Sequence, residues 1–123
     1  MIELYIAAAL ALAVGAAHSI LGERYILIRL FRRPDLPRLF GGTELTKRTL
    51  RFAWHLTSIA WWGFGAILAL LARDAATVSA LAWVVAVTFL VSAALAAAVS
   101  RGRHLSWLVF LAIGLIAASA AVG

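Results

Sequence analysis

The chain contains three histidines, and each lies near the end of a long apolar run. His18 lies near the end of the first run, His55 near the start of the second, and His104 at the start of the fourth. If consecutive runs cross a membrane in alternating directions, all three imidazoles lie toward the same side of it. A titratable, metal-ligating side chain is costly beside lipid, so this arrangement indicates a functional site.

A transition-metal site is the first hypothesis for these residues. Three imidazoles suit zinc, copper or iron, and three histidines with an open fourth position form a known catalytic zinc site. The chain has no cysteine, so thiolate ligands are excluded. We therefore expect a metal site at one end of the helices, with a role in transport, sensing or catalysis that stays open. Its expected ligands are His18, His55, His104 and Glu23, with Ser19 and Ser58 in support.

A b-type haem is the second hypothesis, and it uses only two of the histidines. His18 and His55 lie on consecutive apolar runs, ~6 Å and ~4.5 Å inside the ends of those runs at ~1.5 Å per residue. Matched depth on neighbouring helices is what bis-histidine ligation in a helical protein needs. A third hypothesis is a cofactor-free membrane protein that serves interaction or assembly through its small-residue faces.

The spacing of small and polar residues predicts which helix faces meet. Gly15, His18, Ser19 and Gly22 share one face of the first helix, and the small members of this set let another helix approach closely. Glu23 is ~140° around the helix from His18, so the two cannot both point at one centre without a bend. We expect Glu23 to pair with Arg51 or Arg103. One stripe of the second helix contains Arg48, Arg51, His55, Ser58, Trp62 and Gly65.

Composition indicates a membrane protein. Hydrophobic residues make up 65% of the 123 residues and charged residues 13%, whereas about a quarter of a soluble chain is charged. Each of the four apolar runs is close to the ~20 residues that cross the hydrocarbon core. The expected fold is all-α, a single integral-membrane domain that forms a four-helix up-down bundle. The predicted helices cover residues about 3–31, 46–72, 76–100 and 104–122, with a loop at about 32–45.

The basic residues predict the orientation. Ten of the eleven lysines and arginines fall on the side of the long loop, and only Arg73 falls on the other. This bias places the loop in the cytoplasm and both termini outside, in a bacterial inner membrane. The net charge of +6 then indicates anionic lipid headgroups rather than nucleic acid as partners. The Ala-rich runs allow a homo-oligomer or a larger membrane complex. An anion or headgroup site is expected at Arg48, Arg51, Arg101 and Arg103.

Overall fold

Four helices account for most of the chain. The computed structural model describes all residues, Met1–Gly123. Helix α1 covers Ile2–Leu30, α2 Glu44–Ala72, α3 Val78–Ser100 and α4 Ser106–Val122. There is no β-strand, only an isolated bridge between Leu39 and Gly42. The bounds of these helices differ from the predicted ones by no more than two residues.

Three of the four helices, α1, α2 and α3, are long and apolar enough to cross a membrane. Helix α4 is equally apolar but has 17 residues, which is ~25 Å at ~1.5 Å per residue. Length and composition therefore support membrane association for three helices.

The helices pack in the order of the chain. The Cα atoms of α2 come within 8 Å of both α1 and α3, and those of α4 come that close only to α3. No such approach joins α1 to α3 or α4, or α2 to α4. The contacts thus describe a row of neighbouring helices. The four-helix up-down bundle that the apolar runs predict is therefore not confirmed, because no Cα atom of the first helix comes within 8 Å of the last.

Antiparallel contacts join the first two helices and the last two. The indole of Trp62 on α2 donates to the carbonyl of Leu12 on α1, while Ser58 meets Ser19. On α3 and α4, the hydroxyl of Ser79 donates to the carbonyl of Ala121, and Phe89 lies against Phe110. In each pair, later residues of one helix contact earlier residues of the other.

Two short turns reverse the chain after α2 and after α3. Asp74 and Arg101 both have φ near +50°, the left-handed conformation that commonly ends a helix. The following N–H groups, of Ala75 and Gly102, bond back to the carbonyls of Leu70 and Ala97. These are the six-to-one bonds of the Schellman motif, and they satisfy carbonyls that the helix ends leave free.

The loop between α1 and α2 is ordered by local bonds. Arg33 donates two hydrogen bonds to Asp35, at 2.9 and 2.8 Å, and these bonds hold the pKa of the exposed Asp35 carboxyl below its usual value. The hydroxyl of Thr46 donates to the carbonyl of Pro37, and Thr43 precedes α2 without a side-chain cap bond.

Candidate functional site

Two tryptophans of α2 lie over two glycines of α1. A methyl group added to Gly22 would overlap the indole of Trp54, and one added to Gly15 would overlap that of Trp62. Each indole N–H donates to an α1 carbonyl: Trp54 to His18 at 2.9 Å, and Trp62 to Leu12 at 3.1 Å. Close approach of the two helices therefore requires glycine at both positions. The predicted small-residue face of α1 does contact the predicted polar stripe of α2.

Helix α1 becomes π-helical over Gly22–Leu27. The N–H of Ile28 bonds to the carbonyl of Glu23, five residues back, whereas an α-helix reaches back four. The irregular turn starts beside His18, whose carbonyl accepts from both the N–H of Gly22 and the indole of Trp54. A side chain that inserts into the helical bonding pattern is a recognised cause of such distortion. Single π turns are frequent at functional sites, and this one contains Glu23.

A chain of polar side chains crosses the contact between α1 and α2. Nδ1 of His55 lies 2.8 Å from Oγ of Ser19, and Nε2 of His55 lies 3.0 Å from Oε2 of Glu23. Arg51 pairs with the same carboxylate, with Nη2 2.7 Å from Oε1 and Nε 3.3 Å from Oε2. Ser58 extends the chain inward, 2.6 Å from Oγ of Ser19. Of the two ion-pair partners predicted for Glu23, Arg51 and Arg103, the structure pairs it with Arg51.

Exposure rises steadily along this polar chain. Ser58 is 1% exposed, while the side chains of His55, Glu23 and Arg51 are 22%, 32% and 39% exposed. The network therefore runs from the interior of the helix pair toward the end that carries most of the basic residues. On the inner side of Ser58, the contacts between α1 and α2 are made by Gly15 with Trp62, and by the residues around Gly65.

His18 is not part of this network. Its ring stacks on Trp54 with centroids 4.5 Å apart and planes 2° from parallel, and it meets Trp61 edge-on at 5.0 Å. Nε2 of His18 donates to the carbonyl of Trp54 at 3.2 Å. The predicted angular separation of His18 from Glu23 explains this outcome. Ser19, which is four residues before Glu23, shares its face and meets His55 in place of His18.

His104 lies on another side of α2. Its ring packs edge-on against Phe52, with centroids 5.1 Å apart, and Nδ1 lies 2.8 Å from Oγ of Ser106. The hydroxyl of Ser100 accepts from the N–H of His104 and donates to the carbonyl of Ala96. The hydrogen-bond partners of His104, Ser100 and Ser106, lie beside the turn before α4. His104 therefore does not reach the polar network between α1 and α2.

The predicted metal ligands are therefore dispersed. The structure brings His55 and Glu23 together and places His18 and His104 in separate surroundings. No group of three or more histidine or acidic side chains is arranged to hold a metal ion. The bis-histidine haem hypothesis meets the same difficulty, because one face of His18 is covered by Trp54 while His55 is held between Ser19 and Glu23.

The four arginines of the predicted anion site also have different surroundings. Arg51 is paired with Glu23, and Arg48 lies 3.8 Å from Glu44 one turn before it. Arg101 and Arg103 flank the turn after α3 and form no ion pair within the chain. The four arginines have no carboxylate partner in common.

Sequence reasoning found most of the polar network but missed the part played by tryptophan. The indole N–H of Trp54 donates to the carbonyl of His18, its ring stacks on the His18 ring, and its position leaves room only for glycine at position 22. The available signal was spacing, because Trp54 and Trp61 are seven residues apart and so share the helix face beside His55. No protein family, no curated protein and no solved structure matches this chain.

Proposed function

We propose that this chain is a small integral membrane protein that binds and releases a proton at His55, and that this site serves a sensing role. One observation carries the proposal. Both ring nitrogens of His55 are hydrogen-bonded, one to the hydroxyl of Ser19 and the other to the carboxylate of Glu23. Histidine is the side chain whose charge changes near neutral pH, and this one is held on a membrane-crossing helix.

The partners of His55 suit both of its protonation states. When the ring is neutral, Nε2–H donates to Glu23 and Nδ1 accepts from the hydroxyl of Ser19, which in turn accepts from Ser58. When the ring is charged, Nδ1–H donates to Ser19, whose hydroxyl turns to donate to Ser58. A hydroxyl can reverse its role by rotation, so neither state leaves a ring nitrogen without a partner.

The charged groups beside His55, Glu23 and Arg51, can respond to a change in its protonation. Oε2 of Glu23 is shared, at 3.0 Å from His55 and 3.3 Å from Nε of Arg51. A proton on His55 places a second positive charge beside a carboxylate that Arg51 already neutralises. The guanidinium of Arg51 at the same time lies 5.0 Å from the ring of Phe31, a cation–π contact that remains when the bond to Glu23 weakens. Protonation of His55 is expected to weaken the bond of Arg51 to Glu23 and to loosen the end of α1.

The extent of the network favours sensing over transport or catalysis. A transported proton needs a path across the membrane, but the polar chain stops at Ser58 and glycine–tryptophan packing follows. A nucleophilic serine needs space for a substrate, but Ser19 is bonded on one side to His55 and on the other to Ser58. A local proton-binding site agrees with both observations.

The proposal includes a topology. The ends of α1 and α2 that contain Glu23 and Arg51 face the cytoplasm, because the excess of basic residues lies there. With α4 as a fourth crossing, both termini lie outside the inner membrane. The basic residues of the cytoplasmic end then lie near anionic lipid headgroups.

Nitrogen NMR on the protein in lipid nanodiscs tests this function. The three histidine rings, labelled with 15N, are assigned with single His→Gln variants and followed from about pH 5 to about pH 8, the range in which histidine charge usually changes. Spin labels at residues 36 and 76 lie outside the site and report movement of the hairpin formed by α1 and α2. We expect the His55 ring to change protonation reversibly and the hairpin to respond over the same range.

Two matched variants separate this function from a structural role. Glu23→Gln should abolish the coupled movement, whereas Glu44→Gln, which removes a distant acid paired with Arg48 at 3.8 Å, should preserve it. A His55 ring that keeps one protonation state throughout, or a proton change with no movement of the hairpin, would contradict the proposed function.

A further inference from the structure

A groove open to the lipid runs beside His18, on the outer surface of α1 and α2. It has a volume of about 440 Å³. Apolar side chains such as Val14 and Leu21 form its walls, together with the aromatic rings of Tyr25, Trp54 and Trp61. His18 also lines this groove. The Ser19–His55–Glu23 network described above does not line it, so the groove is a separate feature.

The hydrogen bonds of His18 use one of its two ring nitrogens and leave the other without a partner. Nε2 bonds to the carbonyl of Trp54 at 3.2 Å, and a carbonyl can only accept, so Nε2 carries the hydrogen. In the neutral ring, Nδ1 is then an acceptor. No side chain or backbone group of the protein bonds to Nδ1. The ring is fixed in place by its stacking on Trp54, so this acceptor is held in position.

Trp61 supplies the complementary group. Its ring lies 5.0 Å from that of His18, centroid to centroid. The other tryptophans in contact with α1, Trp54 and Trp62, donate their indole N–H groups to backbone carbonyls, whereas Trp61 has no such acceptor within the chain. Besides the hydroxyl of Tyr25 near the rim, the residues that line the groove thus contribute one unpaired acceptor on His18 and one unpaired donor on Trp61. A hydroxyl group, which donates one hydrogen bond and accepts others, satisfies both.

The depth of the groove limits the ligand to the lipid phase. His18 lies ~6 Å toward the membrane centre from Gly22 at ~1.5 Å per residue. Arg24, whose guanidinium is 5.5 Å from the ring of Tyr25, lies at the polar rim. Flat aromatic walls favour a flat ligand that stacks or meets them edge-on. Ligand sites of this kind combine mostly apolar walls with a few placed polar groups.

From these observations we infer that the groove binds a lipid-soluble phenol, an amphiphile with a flat hydroxyl-bearing ring and an apolar tail. Its hydroxyl donates to Nδ1 of His18 and accepts from the indole N–H of Trp61, and its tail lies along Val14 and Leu21. Hydroquinones with alkyl tails are the chemical class that fits. This inference does not rest on the proton-binding function of His55.

A matched pair of probes tests the role of the hydroxyl. A decyl-substituted hydroquinone and its dimethyl ether have the same ring and tail, but only the hydroquinone can donate a hydrogen bond. Each is titrated under argon into nanodiscs that contain the full-length protein with 15N-labelled histidine. We expect the hydroquinone to shift the Nδ1 signal of His18 saturably and to bind about fivefold more tightly than the ether, the difference of about one hydrogen bond.

Variants locate the site. His18→Phe keeps an aromatic ring for stacking but lacks Nδ1, and it should lower hydroquinone affinity to that of the ether. Trp61→Phe removes the indole N–H and should weaken binding even if His18→Phe fails to fold. His104→Phe, on the other side of α2, is the control and should bind like the wild type.

Three results would overturn the inference. One is equal affinity for the hydroquinone and the ether, which would mean that the groove only takes an acyl chain. Another is an unmoved Nδ1 signal of His18 in the wild-type protein. The third is binding that His18→Phe and Trp61→Phe both leave intact.

Discussion

The hydroxyl of Ser19 and the imidazole of His55 lie on different helices, with Oγ 2.8 Å from Nδ1. Ser19 also contacts Ser58 at 2.6 Å, and His55 also contacts Glu23 at 3.0 Å. One hydrogen bond therefore joins the buried half of the polar network to its charged half. Where lipid surrounds the helices, such polar contacts between them add specificity to packing that is otherwise apolar.

The costs of removing the Ser19 hydroxyl and the Ser58 hydroxyl should not be additive. Ser19→Ala leaves the buried Ser58 without its partner and should cost about 1 kcal/mol of unfolding free energy. In the Ser19→Ala/Ser58→Ala double variant no hydroxyl is left unpaired, so the cost should be smaller than the sum of the two single costs. Unfolding in mixed micelles measures these values. Ser119→Ala, at an exposed serine, is the control, and strictly additive costs would contradict the contact.

Adding one methyl group at Gly22 should separate α1 from α2. The new Cβ overlaps the indole of Trp54, so the indole must move and lose its bond to the carbonyl of His18. Forcing extra volume into a packed contact costs about 1–3 kcal/mol. Gly22→Ala is therefore expected to lower the unfolding free energy in mixed micelles by about this amount. Gly42→Ala is the matched control, since a Cβ there meets no atom within 4 Å. Equal stability of the two variants would rule out the close approach.

The ion pair of Glu23 and Arg51 should be energetically coupled, although both side chains are partly exposed. Polar contacts between membrane helices contribute about 0.6 kcal/mol on average, and exposed pairs contribute less than buried ones. A double-mutant cycle with Glu23→Gln and Arg51→Gln should therefore yield a coupling energy of about 0.5 kcal/mol at low salt. The loop pair Arg33–Asp35, whose side chains are both 62% exposed, should show weaker coupling in the same assay because water screens it more. Similar coupling in the two cycles would contradict this ranking.

Single cysteines can determine whether α4 crosses the membrane. The chain has no native cysteine, so Gly42→Cys, Ala76→Cys and Val122→Cys each report one position. With four crossings, an impermeant maleimide added to spheroplasts should label positions 76 and 122 and leave position 42 unlabelled until the cells are lysed. Labelling at 76 alone would show that the 17-residue α4 does not cross. Labelling at 42 in intact spheroplasts would reverse the proposed orientation.

The sequence was sufficient for the helices and for the helix faces that meet. Runs of about 20 apolar residues define membrane helices with little ambiguity. Glycine or proline marks two of the three places where the chain turns, and the charged pair Arg73–Asp74 marks the other. The i, i+4, i+7 spacing of Gly15, Ser19 and Gly22 predicted the contacting face of α1, and the stripe through Arg51, His55 and Ser58 predicted that of α2. The sequence limited the ion-pair partner of Glu23 to Arg51 or Arg103, and the structure pairs it with Arg51.

The sequence was not sufficient for the site itself, because angular position within a helix pair depends on packing. Depth along the chain placed three histidines at one end, but rotation of each helix about its axis decided which side chains meet. His18 faces Trp54, His55 faces Ser19 and Glu23, and His104 faces Phe52.

Helical periodicity thus determined from the sequence alone that α1 and α2 carry matching polar faces near one end of the helix pair. Only the tertiary structure decided that Ser19, rather than His18, meets His55, and that a π turn begins where the indole of Trp54 binds the carbonyl of His18. The physical reason is that spacing along one helix is a local property, whereas a contact between helices depends on how both of them rotate to pack.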